Sequence, residues 1–279
     1  MVTSIADPPI RRLDETDVAA CVALAEKHGW PPEPGKWSLL MRVGEVYGIG
    51  DDELIGTVAL VRYGDGFAVV SMMVVSPEHT RRGHGRRLMA HVLRAARRCT
   101  LALYATAAGR PLYLDLGFRT IGWSSSYLGV LDQGSGQTRV AAATDLAAIA
   151  AADRAAFGGD RLPLLRRWAS EGRWLRVAER ADRIAGFAGA WRSREAQTLI
   201  GPVVADDLAT ATSLITDLAA DAGGQVRLDV DRAVPGLEAW ALAQGMIPSG
   251  PAFPLMTVDG EPLPGDRGRV FAPIGSALG

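Results

Sequence analysis

The sequence predicts an α+β protein with a mixed α/β sheet, built from two related units. Each unit is expected to be a mostly antiparallel central sheet flanked by helices. Three observations predict it. The apolar runs Glu45–Ile49, Leu54–Tyr63 and Phe67–Val75 are separated by Gly50-Asp51-Asp52 and Gly64-Asp65-Gly66, which is hairpin chemistry. Stretches with helical spacing precede and follow these runs. The same order of elements then starts again near Thr138, so the second half reads as a diverged copy of the first.

Size and composition fit two ordinary domains. The chain has 279 residues, 48% hydrophobic and 22% charged, as in soluble globular proteins. A net charge of −1 provides no global field for nucleic acid or membrane, so neither is expected as a partner. Two cysteines, Cys21 and Cys99, make no disulfide framework and suggest a reducing, cytoplasmic setting. The first residues lack a basic-then-apolar leader pattern, and no apolar run is long enough to span a bilayer.

In chain order, a weak strand near Pro9–Leu13 precedes a helix over about Glu15–His28. Asp14 or Thr16 can cap it, Gly29 can stop it, and Val18, Cys21, Val22 and Ala25 share a face. A proline-rich loop with Trp30 leads to a helix near Lys36–Val43 containing Trp37. These tryptophans suit either a core or a substrate wall. After the three hairpin strands comes a helix over about Gly85–Arg98, with the stripe Leu88, Met89, Val92, Leu93 and Ala96. Phe67–Val75 is almost continuously apolar, as a strand buried on both faces would be. A strand (Leu101–Ala105), a short helix (about Arg110–Leu116), Gly117 as a stop, and a strand (Phe118 to about Leu131) complete the first unit, residues 1–131.

Asp132–Gln137 reads as a flexible linker. The second unit, residues 138–279, has expected helices at Thr144–Phe157, Leu162–Glu171, Leu208–Ala222 and Gly236–Gln244. Its expected strands are Arg139–Ala142, Trp174–Glu179, Ile184–Ala190, Thr198–Val204, Gln225–Val230, Ile247–Met256 and Arg269–Phe271.

The chemistry concentrates in Val74–Met89. A strand ends in Ser76-Pro77, and a short loop with Gly83, Gly85 and four arginines (Arg81, Arg82, Arg86, Arg87) opens a helix. The first N–H groups of a helix have no acceptor within it, and the helix dipole adds positive character there, so this pattern suits an anion. Glycine lets a phosphate approach the backbone.

Two motifs in order resemble the GNAT superfamily of N-acetyltransferases. Val75-Ser76-Pro77 through Arg82-Gly83-His84-Gly85-Arg86 looks like its acetyl-CoA pyrophosphate loop. Gly109-Arg110-Pro111-Leu112-Tyr113-Leu114-Asp115-Leu116-Gly117-Phe118 looks like its A-x-x-L-Y-x-x-x-G-F segment. The whole chain resembles a tandem type, with a catalytic first half and a motif-poor GNAT-like second half. Thr80 stands where the family usually has Gln or Arg, and Thr106 where it often has Asn.

The resemblance implies acetyl-CoA as cosubstrate and no metal; a small-molecule primary amine is the expected acceptor, with amino acids, polyamines, aminoglycosides and protein amino groups all open, and the chain is expected as a monomer or homodimer. It implies that backbone groups of Met73, Val74 and Val75 face the cofactor, and that the N–H groups of Arg81, Arg82, Gly83, His84, Gly85 and Arg86 cradle the pyrophosphate. Thr106 is a further cofactor contact, and Tyr113 is the candidate general acid for the CoA thiolate. No residue declares itself as the base: Glu45, Asp160 and Asp229 are candidates. His28, His79 and His91 read as surface or helix-end residues.

In the second half Val203-Val204 echoes Val74-Val75, but Ala205-Asp206-Asp207 replaces the glycine loop, and Ala241 falls where the first half has Tyr113. Two carboxylates at a helix start repel a pyrophosphate. This half is expected to close the acceptor pocket, with Asp153, Phe157, Gly159, Asp160 and Arg161 either facing that pocket or packing locally. A non-enzymatic acyl-CoA-binding or sensing module is the alternative, motivated by the missing base. A nucleic-acid binder is disfavoured by the neutral charge and the lack of interleaved aromatics.

Overall fold

The computed structural model describes residues 8–50, 53–131, 133–170, 174–194 and 197–279. Asp51 and Asp52 of the expected hairpin turn, Asp132 of the expected linker, and Glu171 at an expected helix end lie outside these. So do the first seven residues, where a leader was sought. By its internal contacts the chain forms two compact units, Met1–Arg62 with Ala68–Cys99, and Tyr63–Phe67 with Thr100–Gly279.

The first unit is an antiparallel meander with three helices. Its elements are β1 (Ile10–Arg12), α1 (Val18–Glu26), α2 (Pro34–Val43), β2 (Glu45–Ile49), β3 (Gly56–Arg62), β4 (Phe67–Val75) and α3 (His84–Ala95). β1 pairs with β2, β2 with β3, and β3 with β4, all antiparallel. A 3-10 turn at Glu15–Asp17 leads into α1. Asp14 accepts from the Thr16 N–H at 2.9 Å while Asp17 accepts from the Asp14 N–H at 3.0 Å, a capping box. Gly29, at φ 71°, ends the segment as expected. Trp37 is core, at 1% exposed. Leu88, Met89, Val92 and Ala96 are buried along the expected stripe of α3. His91 is half-buried and stacks edge-on against Tyr47, with centroids 4.4 Å apart.

The second unit contains β5 (Thr100–Tyr104), α4 (Arg110–Asp115), β6 (Phe118–Val130), β7 (Arg139–Val140), α5 (Leu146–Phe157), α6 (Leu162–Ser170), β8 (Trp174–Arg180), β9 (Arg183–Arg194) and β10 (Gln197–Ala205). It continues with α7 (Leu208–Ala222), β11 (Gln225–Asp231), α8 (Leu237–Ala243), β12 (Ile247–Pro248), β13 (Phe253–Val258) and β14 (Val270–Ala272). Its sheet runs β5-β13-β6-β11-β10-β9-β8-β7, with β12 beside β6 and β14 beside β10. β10 and β11 are parallel, and the other pairs are antiparallel. Leu214, Ile215 and Leu218 of α7 pack with Ala188 and Val226, whereas Phe187 packs with Ile149 of α5. Adjacent residues of β9 therefore serve opposite faces of the sheet.

Three features depart from expectation. The predicted strand Ile247–Met256 is broken, because Gly250 at φ 81° and Pro251 separate β12 from β13. Residues 133–138 are tethered rather than free. Asp217, 3% exposed, accepts from Ser135 Oγ, Gly136 N, Thr138 N and Thr138 Oγ1 at 3.0, 2.9, 3.0 and 2.6 Å. Third, the halves exchange strands. β13, from the second half, lies between β5 and β6 of the first, while residues 124–130 of β6 pair with β11 of the second.

Candidate functional site

The loop expected to take an anion in the first unit is shaped by a bulge and two left-handed residues. Thr57 pairs with Val74 and Ala59 with Ser71, so Met72 and Met73 both fall opposite Val58. Met72 sits at φ 48°, and its carbonyl accepts from Thr57 Oγ1 at 2.9 Å. The bulge turns the end of β4 out of regular pairing. Ser71, Met72, Met73 and Val75 are half-buried, while Phe67–Val70 and Val74 are buried. The all-apolar reading of this strand hid that change. His28, exposed just past the end of α1 as expected, places Nε2 2.7 Å from the Val75 carbonyl.

After β4, a 3-10 turn at Pro77–His79 is closed by Thr80, whose hydroxyl donates to the Pro77 carbonyl at 3.1 Å. Thr80 thus serves the turn. Arg81 (φ 58°) and Gly83 (φ 84°) then swing the chain into α3, with Gly83 as N-cap. A Cβ built on Gly83 would meet nothing within 4 Å, so the space before the helix start is open. That opening, the twelve-residue helix behind it and the exposed Arg81, Arg82 and Arg86 fit a diphosphate. Arg87 points elsewhere, donating to the Pro8 carbonyl at 2.8 Å. His84 is buried as the first helical residue, with its ring 6.4 Å from that of His79.

Tyr113 lies in α4 of the second unit, 6% exposed, its ring 5.9 Å from Phe118. Gly109 packs closely here, since a Cβ there would stand 3.0 Å from the tyrosine ring. Thr106 Oγ1 accepts from the Gly109 N–H at 3.1 Å, which leaves its own proton for another acceptor. The Tyr113 hydroxyl has no hydrogen-bond partner among the described residues. Burial pushes its pKa up to about 12, so it remains a proton donor across the physiological range.

The carboxylates considered as bases are all engaged. Glu45 takes a short hydrogen bond from Tyr47 and one from Arg62 Nε at 2.9 Å. Burial raises its pKa, but these bonds outweigh that, and the net shift is downward. Asp160 accepts from the Leu162 N–H at 3.0 Å and pairs with Arg154 at 3.0 Å. Asp229 accepts from Ser126 Oγ at 2.6 Å and from Arg227 at 2.8 and 3.0 Å. Asp153 and Arg161 form a buried forked pair at 2.6 and 3.0 Å, with the guanidinium 3.7 Å above the Phe157 ring. Gly159 packs on Tyr63, where a Cβ would come within 2.6 Å.

Residues 43–120 match a family model described as an acetyltransferase (GNAT) domain, and residues 149–272 match a second model of the same description. The chain is a tandem member of the GNAT acetyltransferase superfamily. It is 28% identical, over 96% of its length and 97% of the relative's, to an uncharacterized N-acetyltransferase, YitH, of Bacillus subtilis. Among solved structures, a putative acetyltransferase from Pyrococcus horikoshii matches with a TM-score of 0.82 at 19% identity, covering 99% of this chain and 97% of that one. A tandem GNAT protein from the clavulanic acid biosynthesis pathway matches with a TM-score of 0.65 at 18% identity, covering 91% and 99%.

In this tandem GNAT protein the second copy of the loop region is occupied by the chain itself. Val203 and Val204, the counterparts of Val74 and Val75, pair with Ala272 and Val270 of β14. Gly201 permits the approach, as a Cβ there would lie 2.0 Å from the Pro273 carbonyl oxygen. At the start of α7, Asp207 accepts from the Thr210 N–H at 2.8 Å, and this bond chiefly lowers its pKa to about 2. Asp206 pairs with Arg183 at 2.6 Å and Arg269 at 2.5 Å. Ala241, the counterpart of Tyr113, is fully buried in α8.

Proposed function

We propose that this protein is an acetyl-CoA-dependent N-acetyltransferase that moves an acetyl group directly to the primary amine of a small molecule. The observation that carries the reading is the anion loop: a bulged strand, left-handed Arg81 and Gly83, and open space before a long helix. Acetyl-CoA supplies an activated thioester. On this reading the N–H groups of Arg81, Arg82, Gly83, His84, Gly85 and Arg86 hold the pyrophosphate, and Thr106 adds a hydroxyl contact. Backbone groups of Met73, Val74 and Val75 orient the thioester. One N–H aimed at a developing oxyanion is worth roughly 3 kcal/mol in comparable sites.

In the reaction the amine nitrogen forms a bond to the acetyl carbon and the carbon–sulfur bond breaks. The ammonium releases one proton to solvent before attack; Tyr113 protonates the departing thiolate and is restored by the second proton, which the nitrogen loses as the amide forms. The reading includes a division of labour, in which residues 1–131 do the chemistry, 132–137 connect, and 138–279 enclose the acceptor. It places the protein in the cytoplasm, as a monomer or homodimer. Among the described residues no helix is long and apolar enough to cross a membrane.

The test combines thermal denaturation with acetyl-CoA and a thiol-release assay across amino acids, polyamines, aminoglycosides and peptide amines. Stabilisation by acetyl-CoA together with amine-dependent release of CoA is expected. Stabilisation with no release from any amine would favour a sensing module instead.

A further inference from the structure

The second unit contains a polar stripe on an otherwise apolar sheet, and part of it is unsatisfied. Arg227, Asp229 and Asp231 alternate along β11, so they share one face. Across the strand pair, Asp229 stands opposite Ser126 and Asp231 opposite Ser124. Ser124 is opposite Phe253 of β13, and two residues along β13 Leu255 is opposite Tyr104 of β5. Tyr104, Ser124, Ser126, Asp229 and Asp231 therefore line one face across four strands.

These groups are not equally occupied. The Asp229 carboxylate is saturated by Arg227 and Ser126, so this pair contributes no net charge. Asp231 is 4% exposed and accepts from the Ala233 N–H at 3.0 Å. Its other oxygen has only a long 3.5 Å contact with Arg267 Nη2. Arg267 Nε and Nη1 are both buried with no hydrogen-bond partner. Its guanidinium lies 5.6 Å from the Phe157 ring centre. Ser124, 5% exposed, also has no hydrogen-bond partner among the described residues. The Tyr104 phenol has none there either, and burial raises its pKa, so it stays neutral. A buried donor without an acceptor carries an uncompensated desolvation penalty, so the two Arg267 nitrogens mark the place a ligand can fill.

We infer that this stripe binds the acceptor and that the acceptor is an amino carboxylate, with its carboxylate on Arg267 and its amino group towards Asp231, Ser124 and Tyr104. This rests on the acetyltransferase reading for the acceptor's role, but the binding chemistry stands on these residues alone. A zwitterion satisfies the weakly paired Asp231 and Arg267 together and buries no net charge. A polyamine would satisfy Asp231 yet leave the Arg267 donors unmet. A carboxylic acid without an amine would do the reverse.

The experiment compares matched pairs by titration calorimetry: L-phenylalanine with phenethylamine, L-lysine with cadaverine, L-serine with ethanolamine, and L-leucine with isoamylamine. At least one amino acid should bind tenfold or more tightly than its decarboxylated partner. Arg267→Met should abolish that preference by weakening amino-acid binding, while the amines bind no more weakly than to the wild type. Arg267→Lys, which keeps the charge with fewer donors, should retain part of it and guards against a folding defect in the first variant. Tighter binding of the amines, preference unchanged in both variants, or no binding of any amino acid at 10-millimolar order overturns the inference. Acetyl-CoA stabilisation is measured on the same samples. Its absence with amino-acid preference intact would remove the transferase reading only, and the opposite result would remove only this one.

Discussion

Replacing Gly83 with glutamate isolates the anion loop from the rest of the fold. Gly83 sits at φ 84°, so any side chain there incurs the left-handed cost of about 1–2 kcal/mol. A Cβ meets nothing within 4 Å, so no steric cost adds to it and the variant should fold. Gly83→Ala carries the same backbone cost without charge and is the control. A carboxylate about 5 Å from a phosphate charge is repelled by roughly 3 kcal/mol at an effective dielectric near 20, a loss of about a hundredfold in affinity. Acetyl-CoA at about a hundred times its dissociation constant stabilises the wild type by roughly 2.7 kcal/mol, or about 5–10 °C in a chain of this size. In the glutamate variant the same concentration should yield about 0.4 kcal/mol and a shift near 1 °C. Differential scanning fluorimetry reads all three proteins. A glutamate variant that melts with the alanine control yet keeps the full acetyl-CoA shift would refute the loop assignment.

Two further predictions follow from buried groups. Tyr113→Phe should lower kcat by about a hundredfold or more while leaving the acetyl-CoA shift in place. Because burial holds the phenol near 12, the wild-type kcat should show no alkaline fall from this residue below about pH 11, and a fall centred near pH 8–9 would speak against Tyr113 as the donor. Asp217→Ala strips the acceptor from the Gly136 and Thr138 N–H groups and should cost roughly 3 kcal/mol at pH 7, read by thermal melting. For Asp217, burial raises the pKa, but the bonds from Thr138, Gly136 and Ser135 outweigh it and the net shift is downward. Its contribution is therefore complete above the ordinary carboxylate range and is lost as pH falls below it, so wild type and variant should converge in acid. A difference under about 0.5 kcal/mol at neutral pH would mean the 133–138 segment is held by something else.

The elements legible in the sequence were those fixed by local chemistry. β2, β4 and α7 begin and end at the expected residues because Gly50, the Gly64-Asp65-Gly66 turn, Ser76-Pro77 and the Asp207 cap act within a few positions. The loop from Arg81 to Arg86 was legible for the same reason. The bulge at Met72 was not, because an extra residue in an apolar run leaves the pattern of Phe67–Val75 unchanged. Nor was the strand exchange, since which strand lies beside β5 is decided by distant pairing rather than by anything in Leu101–Ala105. The polar stripe lay half in view: Asp229 stood out, while the alternation through Asp231 and the facing Ser124 and Ser126 needed the β6–β11 register. Arg267 lies on a 3-10 turn between two strands and had no local signal.

The second repeat differs from the first at the two places where an anion loop would form. A parallel pair that diverges, as β10 and β11 do beyond Ile200 and Leu228, leaves backbone groups needing partners. In the second repeat β14 supplies them to Val203 and Val204, and Gly201 makes room for Pro273 alongside. A helix N-terminus likewise needs negative charge or acceptors, and Asp207 provides both to α7 while Asp206 holds Arg269, next to β14. The arginine that anchors the inserted strand thus pairs with a carboxylate standing where a phosphate loop would begin. Restoring a glycine loop at Asp206-Asp207 alone would leave β14 in place and Arg269 without its partner. Removing β14 alone would leave two carboxylates facing the opening. Neither change by itself would free the start of α7 for an anion, so on the proposed division of labour the two features hold the second repeat out of cofactor binding together.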